Sequence, residues 1–124
     1  MRISDQEFER IVDRALEAIP DELMRHVRNV AIRVEDRPSP ELLEEMGFPE
    51  DEPLLGVYTG EALTEKSVSF PSLYPDTIIL FKEPLEELCR DVRELQEEIE
   101  ITVVHEIAHY FGISEERLAE LGYD

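Results

Sequence analysis

Cysteine is almost absent: Cys89 is the one thiol among 124 residues. A single thiol can form neither an intrachain disulfide nor a zinc site built from several thiolates. A metal bound by this chain must therefore be held by nitrogen and oxygen atoms. Within the predicted helix around residues 86–90, we expect Cys89 to be an inert thiol rather than a nucleophile.

Long apolar runs are also missing, because charged residues interrupt the hydrophobic ones throughout the chain. A membrane-spanning helix needs about 18 or more consecutive apolar residues, so none is expected. The first residues, Met1–Glu7, lack the apolar stretch of roughly 7–15 residues that marks a secretory signal. These absences predict a cytoplasmic protein with no membrane partner.

Basic residues are few: 12 lysines and arginines stand against 31 aspartates and glutamates, which gives a formal net charge of −19. The acidic residues are spread along the chain instead of forming a tail. Such a surface repels nucleic-acid phosphates, so we expect no nucleic-acid partner. A neutral or basic partner is easier to accommodate, although solubility alone is the simpler explanation of the charge.

The length of the chain predicts one domain, residues 1–124. Helical periodicity with capping residues predicts helices, and short β-branched runs predict strands. The predicted helices run from about Asp5 to Ala18, from Asp21 through Val27, from Pro40 to a stop at Gly47, from Pro84 through Val92, then to Phe111, and from Ser114 through Leu121; the predicted strands are Val30–Val34, Leu54–Tyr58 and Thr77–Phe81. Residues 59–76 between the last two strands are predicted to be a long loop. Since no regular strand-helix-strand repeat is present, the pattern favours an α+β fold.

The segment His105-Glu106-Ile107-Ala108-His109 carries the chemistry. Two histidines four residues apart on a helix lie one turn apart, so both rings can face a single zinc ion. Glu106 lies about 100° around the helix from His105, where a carboxylate can act as general base for water instead of binding the metal. We therefore predict a zinc site with His105 and His109 as ligands.

Apolar residues surround this segment, with Thr102-Val103-Val104 before it and Tyr110-Phe111 after it. A buried helix that carries two imidazoles and a carboxylate leaves unpaired polar groups unless something binds them. This context favours a metal site over a chance pair of surface histidines.

The residues after His109 supply a candidate third ligand. A glycine turn at Gly112 would bring Glu115, six residues after His109, back towards the same ion. The segment from His105 onward resembles the pattern His-Glu-x-x-His-x-x-Gly-x-x-His/Asp of the metzincin-like zinc peptidases. Together with Thr77–Phe81, it resembles more closely the small bacterial minimal zincin-like metallopeptidase family. The likeness extends to Leu54–Tyr58 and Gly60, so it covers about the C-terminal two-thirds of the chain.

The resemblance implies a zincin-like fold, in which a small mixed β-sheet packs against the His-Glu-x-x-His helix and several further helices. It also implies zinc, a peptide or protein substrate, His105, His109 and the residue at 115 as ligands, and Glu106 as catalytic acid and base. The chain departs from the family pattern because Glu115 stands where the family usually has Asp. Glu116 lies beside it, so either glutamate can be the ligand, and we favour Glu115.

Two alternatives to a zinc peptidase fit part of this pattern. An endoribonuclease with three histidine ligands shares the glycine turn, but Glu106 directly after His105 and the acidic surface argue against RNA. A metal-binding protein with little or no peptidase activity also fits the small size of the chain. An oxyanion stabiliser could come from Tyr58, Tyr110, Tyr123 or His26, although packing or surface roles are favoured for each.

Overall fold

A three-stranded mixed sheet, in the order β1-β3-β2, organises the part of the chain that the computed structural model describes, residues 1–27, 29–49, 51–59 and 76–123. Its strands are β1 (Val30–Glu35), β2 (Gly56–Thr59) and β3 (Asp76–Phe81). β3 lies in the centre, parallel to β1 and antiparallel to β2, so that Ile78 pairs with a residue on each side. The apolar run of β3 reflects this position, since Ile78, Leu80 and Phe81 are fully buried.

Six helices accompany the sheet in the described ranges: α1 (Asp5–Glu17), α2 (Asp21–Val27), α3 (Pro40–Met46), α4 (Lys82–Leu88), α5 (Val92–Phe111) and α6 (Glu115–Glu120). The predicted caps are present at α1, α3 and α6, where the serine before each helix accepts a hydrogen bond from a backbone N–H of the first turn. None of these helices is long and apolar enough to cross a membrane.

The longest helix, α5, lies in the hydrophobic core between α1 and β2. Asp91 caps its start by accepting from the N–H of Glu94 at 2.9 Å, and Gly112 ends it with a φ of 70°. The face of α5 that contacts the core consists of buried residues: Leu95, Ile99, Thr102, Val103, Val104, Ile107 and Ala108. Packing therefore buries much of α5, the motif helix that contains His105-Glu106-Ile107-Ala108-His109, and leaves the two histidines exposed.

The predicted α+β fold is confirmed, and several boundaries differ from the predictions. The segment after β3 is helical from Lys82, two residues before the predicted start at Pro84, and Val92 belongs to α5 because Asp91 caps a new helix there. β2 begins at Gly56 instead of Leu54. Thr59 and Asp76 extend strands, and the rest of the predicted loop lies outside the described residues.

Candidate metal centre

His105 and His109 lie one turn apart on α5 and line the same cleft, whose volume is about 770 Å³. This volume falls within the range of about 300–1,000 Å³ that is usual for ligand sites, so there is room for more than an ion. Both histidines are exposed at the cleft. The expectation that the two imidazoles lie on a buried helix is therefore corrected: residues 102–104 and 107–108 are buried, whereas both histidines are exposed.

Glu115 lines this cleft together with the two histidines. Gly112 has a left-handed backbone conformation, which reverses the chain, and Ser114 then caps α6 by accepting from the N–H of Arg117 at 3.1 Å. Glu115 is thereby placed at the first position of α6, beside the C-terminal end of α5. Among the described residues that line the cleft, Glu115 is present and Glu116 is not.

The three side chains share the cleft without forming a closed ligand set. Within residues 1–27, 29–49, 51–59 and 76–123, no three histidine, cysteine, aspartate or glutamate side chains are grouped closely enough to hold an ion as they stand. The donor types nevertheless fit zinc, which is commonly bound by imidazole nitrogen and carboxylate oxygen. The backbone brings these donors to one place, and coordination requires their side chains to turn towards each other.

Glu106 occupies the neighbouring face of α5 and is half-buried between the helix and β2. Its Oε1 accepts a hydrogen bond of 2.8 Å from the backbone N–H of Tyr58. Burial raises the pKa of this carboxyl above its ordinary value, while the bond from Tyr58 and the nearby His109 and His105 partly oppose the rise. A carboxylate with a raised pKa is a better proton acceptor at neutral pH, as general base catalysis requires.

Aromatic rings pack together beside Glu106. Tyr58 stacks on Tyr110 with ring centroids 4.0 Å apart, and Phe111 lies edge-on to Tyr110 at 5.1 Å. The Tyr58 hydroxyl donates to Asp76 Oδ2 at 2.7 Å, and His26 contacts Phe111 with centroids 4.5 Å apart. These contacts support the packing roles favoured from sequence for three of the four oxyanion candidates.

Tyr123, the fourth candidate, lines the cleft through the chain that follows α6. Its backbone oxygen lies 3.4 Å from His105 Nε2, and its hydroxyl donates to Glu100. The backbone N–H of Tyr123 donates to Leu118 O at 2.8 Å, so the turn after α6 is folded back on that helix. Tyr123 thus contacts a predicted ligand with its main chain rather than with its phenol.

Three contacts of the site were missed by sequence reasoning. The first joins the N–H of Tyr58 to Glu106, the second joins the carbonyl of Tyr123 to His105, and the third pairs Arg117 of α6 with Glu22 of α2. The first two use backbone atoms, which every residue carries, and the third spans 95 positions. No residue pattern in the chain signals any of them.

Comparison with known proteins adds a family and a fold. The family model described as zincin-like metallopeptidase matches residues 27–123, a range that includes the whole sheet and the motif helix. A solved structure of a conserved hypothetical protein from T. thermophilus is similar with a TM-score of 0.56 and 20% identity, over 94% of this chain and 98% of that chain. At that identity the likeness concerns the fold. No curated protein matches the sequence.

Proposed function

Because the chain belongs to the zincin-like metallopeptidase family, we propose that it is a zinc-dependent peptidase in which Glu106 serves as general base and acid. The observation that carries the proposal is the shared cleft. His105 and His109 face it from α5, Glu115 faces it from α6, and Glu106 is held beside the histidines by β2.

His105, His109 and Glu115 would hold the metal, with two nitrogen donors and one oxygen donor. This is the kind of three-ligand protein set, with room for water or substrate, that distinguishes catalytic zinc sites from closed structural ones. Zinc supplies a Lewis acid that activates water at neutral pH and polarises a substrate carbonyl. Glu115 is favoured over Glu116 because it is the glutamate that lines the cleft.

Glu106 performs the proton transfers in this proposal. Its carboxylate takes a proton from the attacking water and delivers it to the nitrogen of the departing amine as the peptide bond breaks. The hydrogen bond from the Tyr58 N–H to Oε1 restrains the carboxyl group at one oxygen before substrate arrives. Burial raises its pKa, which strengthens it as a base.

The substrate is proposed to be a peptide or protein segment. The cleft is lined by residues of α5 that include the two exposed histidines, and its volume of about 770 Å³ lies within the range usual for ligand sites. The net charge of −19 disfavours acidic segments and favours neutral or basic ones. The same charge disfavours RNA, which is the substrate of the alternative metal-dependent hydrolase.

A zinc assay combined with a diverse peptide library tests the proposal. We expect one zinc per chain and cleavage of some library members, and Glu106→Gln should retain zinc while losing at least about a hundredfold in turnover. Glu97→Gln is the matched control, since it makes the same change at an exposed position of α5 paired with Arg93. Full activity of Glu106→Gln would remove Glu106 from the mechanism.

The second candidate function is a metal-binding protein with little or no peptidase activity. It uses the same ligands without the cleavage step, and the small size of the chain, 124 residues, favours it. Tight zinc binding without cleavage anywhere in the library would establish this function. RNA cleavage in the presence of zinc would instead establish the endoribonuclease.

A further inference from the structure

Arg117 of α6 forms a two-pronged ion pair with Glu22 of α2. Its Nε donates to Glu22 Oε2 at 2.7 Å, and its Nη2 donates to Glu22 Oε1. Its Nη1 also donates to Glu120 Oε1 at 2.8 Å within α6. The planar guanidinium matches both oxygens of one carboxylate, and this geometry sets the orientation of the partners as well as their distance.

In the described residues, the side-chain hydrogen bonds that join α6 to another helix are those of Arg117 to Glu22 of α2. α6 has six residues, and isolated helices much shorter than about 12 residues are unstable in water. Leu118 buries its side chain in the core, Ser114 caps the first turn, and the hydroxyl of Tyr123, just after the helix, donates to Glu100 of α5. The two-pronged pair with Glu22 adds a directional restraint between α6 and α2.

Glu115 is two residues before Arg117, so the orientation of α6 determines where its carboxylate points. We propose that Arg117 is a positioning residue for the metal centre, because its pair with Glu22 holds α6 where Glu115 faces the cleft of His105 and His109. The inference rests on the proposed function, since it takes Glu115 as a ligand. Arg117 itself is not a ligand, and its guanidinium is engaged by Glu22 and Glu120.

Neutralising Arg117 removes both a positive charge and the proposed positioning contact, and these two losses have opposite effects on zinc affinity. A positive charge close to a cation site repels the cation, so removing the charge alone would make zinc bind more tightly. Loss of the positioning contact makes zinc bind more weakly, because ordering Glu115 then has to occur on binding. The direction of the change in affinity therefore distinguishes the two effects.

The test measures the zinc dissociation constant of the full chain by competition with a chromogenic chelator. We expect Arg117→Gln to raise it about three- to tenfold, a range set by the partial exposure of the pair, and Arg117→Lys to give a smaller rise because lysine keeps the charge but loses the fork. Arg37→Gln is the matched control: Arg37 also pairs with two glutamates, Glu83 and Glu87, but lies outside the cleft. It should leave zinc affinity unchanged.

Two further variants separate positioning from general destabilisation. Val12→Ala loosens the core at a residue of α1 that does not line the cleft, so it should lower stability and leave zinc affinity unchanged. The double variant Glu22→Gln with Arg117→Gln should bind zinc no more weakly than Arg117→Gln alone, because both changes remove one interaction. If Val12→Ala weakens zinc binding as much as Arg117→Gln does, the positioning role is overturned.

Three other outcomes also test the positioning role of Arg117 or the proposed function. Unchanged or tighter zinc binding by Arg117→Gln overturns the inference and leaves the peptidase proposal intact. Unchanged affinity in Glu115→Gln shows that Glu115 is not a ligand, which overturns the inference while a centre based on the histidines survives. A wild-type chain that binds no zinc refutes the proposed function, and the inference with it, before any variant is compared.

Discussion

The backbone N–H of Tyr58 donates to Oε1 of Glu106 at 2.8 Å, and this bond ties the strand β2 to the helix α5. The proposed general base is therefore oriented by the sheet, not by its own helix. β2 is held against α5 by close packing two residues earlier, at Gly56, which is buried. The geometry of the proposed base consequently depends on how near the strand can approach the helix.

The approach of β2 to α5 requires a glycine at position 56. A Cβ atom there would lie 2.9 Å from Thr102 Cγ2 and 3.1 Å from Ile79 O, both closer than ordinary contact. We predict that Gly56→Ala destabilises the protein by about 1–3 kcal/mol through overpacking. Urea unfolding would measure the loss, and turnover should fall with it because Tyr58 moves relative to Glu106.

The double variant Gly56→Ala with Thr102→Ser provides the control for that prediction. Serine lacks the methyl group that an alanine at position 56 would meet, so Thr102→Ser should recover part of the stability lost in Gly56→Ala. The carbonyl of Ile79 still opposes the new Cβ, and recovery should therefore be incomplete. Wild-type stability in Gly56→Ala would show that the strand shifts freely and that its distance from α5 is unimportant.

The glycine turn after the motif can be tested with a matched pair. Gly112 and Gly47 both have left-handed backbones, with φ of 70° and 64°, and a Cβ at either position would meet nothing within 4 Å. Alanine at either position should cost about 1–2 kcal/mol of stability from backbone strain alone. Zinc affinity should fall only in Gly112→Ala, because that turn directs Glu115 to the cleft. Equal zinc affinity in the two variants would contradict this role of Gly112.

The stability of the first turn of α5 should depend on pH through the carboxyl group of Glu94. Its carboxylate accepts from the side chain and the backbone N–H of Arg90, and these bonds hold the pKa of Glu94 below its usual 4.5. A lowered folded-state pKa means that the contribution to stability is present above about pH 4.5 and is lost as pH falls through the lower, folded-state value. Glu94→Gln should therefore lower the melting midpoint by a few degrees at pH 7.

The same substitution should have progressively less effect as the pH is lowered below 4. Thermal melts of the metal-free proteins from pH 7 to pH 3 would measure the difference in melting midpoint between Glu94→Gln and wild type. Glu97→Gln, three residues along the same helix, serves as the comparison because Glu97 makes one ion pair, at 3.4 Å, with Arg93. A difference between Glu94→Gln and wild type that stays constant over this pH range would contradict the assignment.

The single thiol should be unreactive in the folded protein. Cys89 is 5% exposed, and burial, reinforced by nearby carboxylates, raises its pKa to about 11. A disulfide reagent at pH 8 should modify Cys89 slowly in the native protein and rapidly in urea, since only the thiolate reacts. Rapid modification of the native protein would show that α4 opens readily around this residue.

Short-range order was predictable from the sequence because it is set by neighbouring residues. Ser4, Ser39 and Ser114 mark helix starts through their own hydroxyls, and the glycines after Met46 and Phe111 mark helix ends. The spacing of His105 and His109 places them on one side of a helix wherever that helix lies. Boundaries were less accurate between Lys82 and Val92, where two helices meet and packing decides which turn continues.

By itself, the sequence determined the presence of a motif helix, the types of donor it offers and the family to which it belongs, because these follow from residues close together in the chain. The tertiary structure alone decided which face of α5 is open, that β2 orients Glu106, and that Arg117 joins α6 to Glu22. These contacts depend on backbone atoms and on residues far apart in the chain. These contacts form only when whole helices and strands pack together, so no local pattern of residues predicts them.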